Sequence, residues 1–152
     1  MFQYEEGSME LKNLVLIDFQ FCHYGSFALD LIRFMFTSIN DELYNPKGIQ
    51  HLLKVYFSEL SKNLDILNLK HPKILTFEDL LKEFNSKLNF GLIYNICVLP
   101  VMTCDDPDND FIAHHTDDER SRAFKQRIMK AKRYQRIVKK MLPFYESMGL
   151  LT

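Results

Sequence analysis

The side chain best suited by type and position to do chemistry is Asp18, which ends the apolar run Leu14-Val15-Leu16-Ile17 and is followed by Phe19 and Gln20. A short, branched run bounded by turn residues reads as a buried strand, and the end of such a strand can hold a carboxylate rigidly. Phosphoryl transfer needs that kind of group, because a metal bridging nucleotide phosphates must be gripped by fixed anionic oxygens. Taken alone, an Asp after an apolar strand is most simply a turn residue. A second carboxylate, Asp30, falls inside a strongly apolar helical stretch, with Arg33 three positions on and near enough to pair with it.

The elements that must position these groups follow from periodicity. Phe2 to Tyr4, a turn through Glu5, Glu6, Gly7 and Ser8, and the run 14–17 read as a β-hairpin; beyond it the chain reads as helical almost throughout. Residues 26–39 are nearly all apolar, with Asp30 and Arg33 the only charges, so this helix is expected to be central. Pro46 opens an amphipathic helix carrying Ile49, Leu53, Tyr56, Phe57 and Leu60, and its connection ends at His71-Pro72. Thr76 can cap a helix over 77–85, with Asp79 as a shortened capping-box partner. Residues 88–104 form an uncharged stretch of 17 residues containing Asn89, Asn95 and Pro100. The two amides and the proline favour a kinked helix buried in protein over a membrane span. An acidic loop over 105–118 and a single long helix over 118–141, broken or bent by Pro143, complete the pattern.

The segment Ile17-Asp18-Phe19-Gln20, then Tyr24-Gly25-Ser26, then Asp30-Leu31, then Phe34 and Ser38 resembles the ecdysteroid kinase-like (CHK kinase-like) family, whose line reads I-D-F-Q-x-x-x-Y-G-S-x-x-x-D-L-x-x-F-x-x-x-S without gaps. Met1 to Gly7 resembles the family's upstream piece, and Thr76-Phe77-Glu78-Asp79-Leu80-Leu81 a recurring downstream one. The resemblance implies a mainly α fold: the C-terminal lobe of the protein-kinase-like fold shared with choline kinase and aminoglycoside phosphotransferases, with a residual N-terminal β-hairpin. The whole of 1–152 is then one partial domain, with residues 1–20 carrying the hairpin and 21–152 the helical lobe.

By the same resemblance the parent activity is ATP-dependent phosphorylation of a hydroxyl on an ecdysteroid or another lipophilic alcohol, with ATP and Mg2+ as cofactors. Asp18 corresponds to the metal-binding Asp beside the nucleotide, and Asp30 to the buried Asp that accepts hydrogen bonds from the catalytic-loop backbone. The family's catalytic loop, H-G-D-x-W-x-x-N, would lie upstream of Met1, as would the nucleotide-covering lobe with its Lys. The expectation is therefore a truncated product or an incomplete gene model that holds ATP and Mg2+ poorly and has no activity alone. A non-catalytic kinase-like interaction module is the rival reading.

Composition sets the remaining bounds. Hydrophobic residues make up 47% of the chain and it holds 13 Phe and 7 Tyr, which excludes a disordered chain. The net charge of -1 disfavours a nucleic-acid binder, although Arg120, Arg122, Lys125, Arg127, Lys130 and further cations to Lys140 make the last helical region strongly basic. Phe124, Ile128, Ala131, Val138 and Met141 or Leu142 give that region an apolar stripe, as expected of a solvated face over a core. His114 and His115 among Asp108, Asp110 and Asp117 lack the spacing of a structural zinc site. Cys22, Cys97 and Cys104 lack C-x-x-C spacing, Cys97 and Cys104 read as small core residues, and the N-terminus carries no basic-then-apolar leader. A cytoplasmic protein without a membrane partner is expected.

Overall fold

The computed structural model describes residues 2–15, 17, 22, 24–69, 76–104 and 118–151. It is mainly helical with one small antiparallel sheet, as expected. Strands β1 (Phe2–Tyr4) and β2 (Leu11–Leu14) pair with Phe2 opposite Leu14 and Tyr4 opposite Leu11 across a bulge. The turn between them uses Gly7 at φ +76°, a left-handed conformation that glycine adopts without cost. The Glu5 N–H donates to the Glu10 carbonyl at 3.0 Å and closes it.

The expected second strand is displaced toward the N-terminus and is not buried. The turn fixes the register, and the described ladder runs from Tyr4 opposite Leu11 to Phe2 opposite Leu14. Every residue of both strands is exposed, and Val15 and Ile17 remain 52% and 57% exposed, since a two-stranded sheet offers no second layer to cover them.

Helix α1 (Phe27–Ser38) starts at Ser26, whose Oγ accepts from the Ala28 N–H at 3.2 Å. It buries Ala28, Ile32, Met35 and Phe36, while Phe34 stays 62% exposed, so an all-round apolar sequence yields a helix buried on one side. Phe36 is the hub of the core. Its ring lies 5.8 Å from Tyr44, 5.5 Å from Tyr145 and 5.7 Å from Phe144, within the range where aromatic pairs attract beyond their area. Full burial of such a side chain contributes about 1.5–3 kcal/mol. A 3₁₀ turn at Asp41–Leu43 leads into α2 (Pro46–Ile66), where Pro46 takes the first position and the Asn45 side chain accepts from the Gly48 N–H at 2.9 Å.

Helix α3 (Phe77–Ser86) carries the anticipated capping box in full. The Asp79 N–H donates to Thr76 Oγ1 at 3.1 Å, and the Thr76 N–H donates to Asp79 Oδ2 at 3.0 Å. The bonds from Thr76 hold the Asp79 carboxyl below the usual carboxylate range.

The uncharged stretch forms α4 (Leu88–Cys97) and α5 (Leu99–Met102), broken at Val98. Pro100 cannot donate to a preceding carbonyl, which accounts for the break. One side of the pair is buried through Leu88, Gly91, Asn95, Leu99 and Val101, while Ile93, Ile96 and Met102 face outward. Cys97 is also exposed, which corrects its reading as a core residue, because it lies on the side of α4 turned away from α1 and α3. Among the described residues no helix is long and apolar enough to cross a membrane.

The expected single terminal helix is two: α6 (Glu119–Met129) and α7 (Lys132–Ser147). The last turn of α6 tightens, Ala131 becomes extended at ψ 127°, and the chain changes direction so that both apolar stripes reach cores. Phe124 and Ile128 pack with Val101 and Cys104, whereas Tyr134, Ile137, Met141, Phe144 and Tyr145 join the main core. Pro143 does not break α7. It sits on the exposed side, and the buried stripe continues past it.

Inside the core Asn95 and Tyr145 are both fully buried, and Asn95 Nδ2 donates to the Tyr145 hydroxyl at 2.7 Å. Asn95 Oδ1 has no partner. Burial pushes the Tyr145 hydroxyl far above the usual phenol range, with the Asn95 bond opposing the shift. A raised folded-state value means stability that is complete below the unfolded pKa and lost above it, here above roughly pH 10.

Two measurements check this account. Tyr145→Phe removes the partner of a buried amide and is expected to destabilise by roughly 1–3 kcal/mol in urea unfolding, with part of that loss recovered in Asn95→Leu/Tyr145→Phe; no coupling between the two sites would refute the pairing. Thr76→Ala is expected to cost about 1 kcal/mol. Since the Asp79 value is lowered, the stability linked to it exists above the ordinary carboxylate pKa and fades as pH falls through the folded one, so the variant should lose that part of the acid dependence below roughly pH 4.

Candidate functional site

Asp18 lies outside the described residues, as do Phe19, Gln20 and His23. The motif's second half is well defined. Tyr24 and Gly25 form an exposed bend, and Ser26 is the N-cap of α1. The Ser26 hydroxyl also donates to Glu83 Oε1 of α3 at 2.6 Å, and Glu83 Oε1 lies 3.8 Å from Lys87 Nζ. This bond across 57 residues of sequence fixes the start of α1 against α3. Nothing in the motif pointed to Glu83; its only local signal was a half-apolar helix face, which many glutamates share.

The cap sets the position of the second carboxylate. Asp30 falls in the first turn of α1, where the aligned backbone dipoles favour negative charge. It is exposed, which corrects the burial expected of it, because the covered side of α1 is the one that carries Ala28, Ile32, Met35 and Phe36. It stands close enough to Tyr56 of α2 that its charge adds to burial, the larger cause, in raising the Tyr56 hydroxyl above the usual phenol range.

Arg33, weighed above as a partner for Asp30, turns elsewhere. Its guanidinium sits over the rings of Phe90 and Tyr94 at 5.3 and 5.7 Å, and its Nε is buried without a hydrogen-bond partner. The described ion pairs do not join it to Asp30. Stacking on two rings of α4 holds the cation away from the carboxylate, leaving the latter open on the surface of α1.

The other candidates separate in the same way. His114, His115, Asp108, Asp110 and Asp117 lie outside the described residues. Among the described residues no group of three or more His, Cys, Asp or Glu could hold a metal ion. Arg120, Arg133 and Lys140 of the basic helices are each engaged in contacts, and Arg127 lies over the Phe124 ring at 5.7 Å.

The model of the ecdysteroid kinase-like family matches residues 1–69, a span that takes in the hairpin, the motif, α1 and α2. This is the family that the Ile17–Ser38 segment resembles, and the match agrees with membership of it. The matched span ends before Thr76. No curated protein and no solved structure matches the chain.

Replacing Asp30 by Asn is expected to lower the Tyr56 pKa without returning it to the ordinary phenol value, because burial remains. Titration of the Tyr56 ring signal by NMR in both proteins checks this. An unchanged value would mean that the carboxylate does not face Tyr56.

Proposed function

We propose that this chain is part of an ATP-dependent small-molecule kinase that phosphorylates a hydroxyl group on a lipophilic alcohol such as an ecdysteroid. The observation that carries the reading is the family match over residues 1–69, which coincides with the segment bearing Asp18, Ser26 and Asp30. In this reading Asp18 ligates the magnesium that accompanies ATP, a hard cation suited to carboxylate oxygen. Magnesium and ATP supply the phosphoryl group and neutralise its charge.

Asp30 is a positioning residue. In this reading it accepts hydrogen bonds from the backbone of a catalytic loop of the H-G-D-x-W-x-x-N type, which would cover the carboxylate that is exposed here. No such loop occurs within the 152 residues. The chain alone therefore lacks the groups that orient the substrate hydroxyl and complete the metal site, and we expect it to bind ATP and Mg2+ poorly and not to turn over. Free thiols at Cys22, Cys97 and Cys104 suit a reducing compartment, and we place the protein in the cytoplasm.

A second reading, a non-catalytic kinase-like interaction module, is favoured by one observation. The hairpin carries Phe2, Tyr4, Leu11 and Leu14 exposed together, an apolar sheet face with no covering layer.

The test uses the chain as given and a version restored with a family-type lobe and loop upstream, each incubated with ATP, Mg2+ and a panel of ecdysteroids. The restored protein is expected to form phosphate ester and the short chain none. In the restored protein Asp18→Ala should abolish turnover with little change in thermal midpoint. Asp30→Ala should lower both, by roughly 1–3 kcal/mol in stability for each loop donor left unpaired. Turnover by the short chain would sink the inactive reading, and an active Asp18→Ala would remove the metal role.

A further inference from the structure

Helices α2, α3 and α7 enclose a groove of about 240 Å³ that has no part in the reading above. Its floor is apolar, built from Ile49, Leu53, Leu81 and Phe144, three of which are almost wholly buried. At about 30 Å³ for each methylene- or water-sized group, it has room for roughly eight.

The rim is polar and of one sign. Lys47, Gln50 and Asn85 line it, and no acidic residue does. Among the described residues none of these three side chains has a partner in a hydrogen bond or ion pair. Lys47 also sits in the first turn of α2, which holds no acidic residue, so the ammonium and the positive end of the helix dipole act together on whatever occupies the mouth. An apolar floor with a few convergent polar groups is the usual build of a small-ligand site. A cation flanked by two amides, with no acidic residue among the described lining, selects a negatively charged head that also accepts hydrogen bonds.

We propose that this groove binds a small amphiphilic carboxylate, with a chain of about eight carbons lying along Leu53, Leu81 and Phe144. Its head meets Lys47, and the amide groups of Gln50 and Asn85 donate to the remaining oxygen lone pairs. Charge complementarity assigns the orientation. A cationic head on the same chain would face Lys47 and lose the favourable contact, and a head without a chain would leave the floor uncovered.

The experiment titrates the isotopically labelled 152-residue chain with sodium octanoate, octylammonium chloride or sodium acetate and follows backbone amide shifts. Octanoate is expected to give saturable shifts around Lys47, Leu53, Leu81, Asn85 and Met148, with acetate and octylammonium giving none there. Lys47→Met, a change at an exposed position, should weaken octanoate about tenfold, as expected for losing one charge-assisted hydrogen bond, with no change in thermal midpoint. Asn85→Trp, also at an exposed position, should block the mouth and abolish the shifts. The proposal is overturned if octanoate fails to saturate, if octylammonium binds as well, if Lys47→Met binds octanoate unchanged, or if the shifts cluster on the exposed hairpin Phe2–Leu14 instead.

Discussion

The close approach of α1, α4 and α7 at Gly91 is the constraint on which the rest of the architecture depends. A side chain there would bring a Cβ within 2.9 Å of both Ile32 Cγ2 and the Tyr145 hydroxyl, so only glycine lets the three helices meet at this spacing. One turn along α4, Asn95 uses the gap to reach the same hydroxyl. Phe36 stacks on Tyr145 from the α1 side. The last long helix is thereby locked onto the first, and the hydrogen bond gives a definite register to a contact that hydrophobic burial alone would leave free to slide.

That lock has consequences at the candidate site. α1 is held on one side by the core and at its start by the bond from Ser26 to Glu83. With both fixed, its outward side presents Asp30 in a defined place, while Arg33, three residues on, lies over Phe90 and Tyr94. The same packing bears on the groove beside Lys47, since α3 rests against both α1 and α2 and α7 adds Phe144 and Met148 to the lining.

The hairpin stands apart from this frame. Its strand residues are exposed, and among the described residues no second layer covers its apolar side chains Phe2, Tyr4, Leu11 and Leu14. An isolated two-stranded ribbon is marginal in water. This ribbon is held by its turn, by the ladder and by an exposed ion pair of Lys12 with Glu5 at 3.8 Å, which contributes little.

Local chemistry was enough to settle several features from sequence. The cap at Thr76, the turn at Gly7, the amphipathic α2 and the interruption near Pro100 all follow from side chains acting on backbone within a few residues. The Ile17–Ser38 motif likewise carried the kinase-like reading, because its spacing is ungapped. What depends on distant partners was not legible. The second strand reads as buried from its composition, yet burial needs a second layer. Cys97 and Phe34 look like core residues, yet which side of a helix is covered depends on the neighbours that pack there. The division of the terminal helix at Ala131 arises because its two stripes serve different cores. Glu83, Gly91 and the partnership of Asn95 with Tyr145 leave no local trace. Their roles come from contacts 50 or more residues apart, which only the packed chain brings within bonding distance.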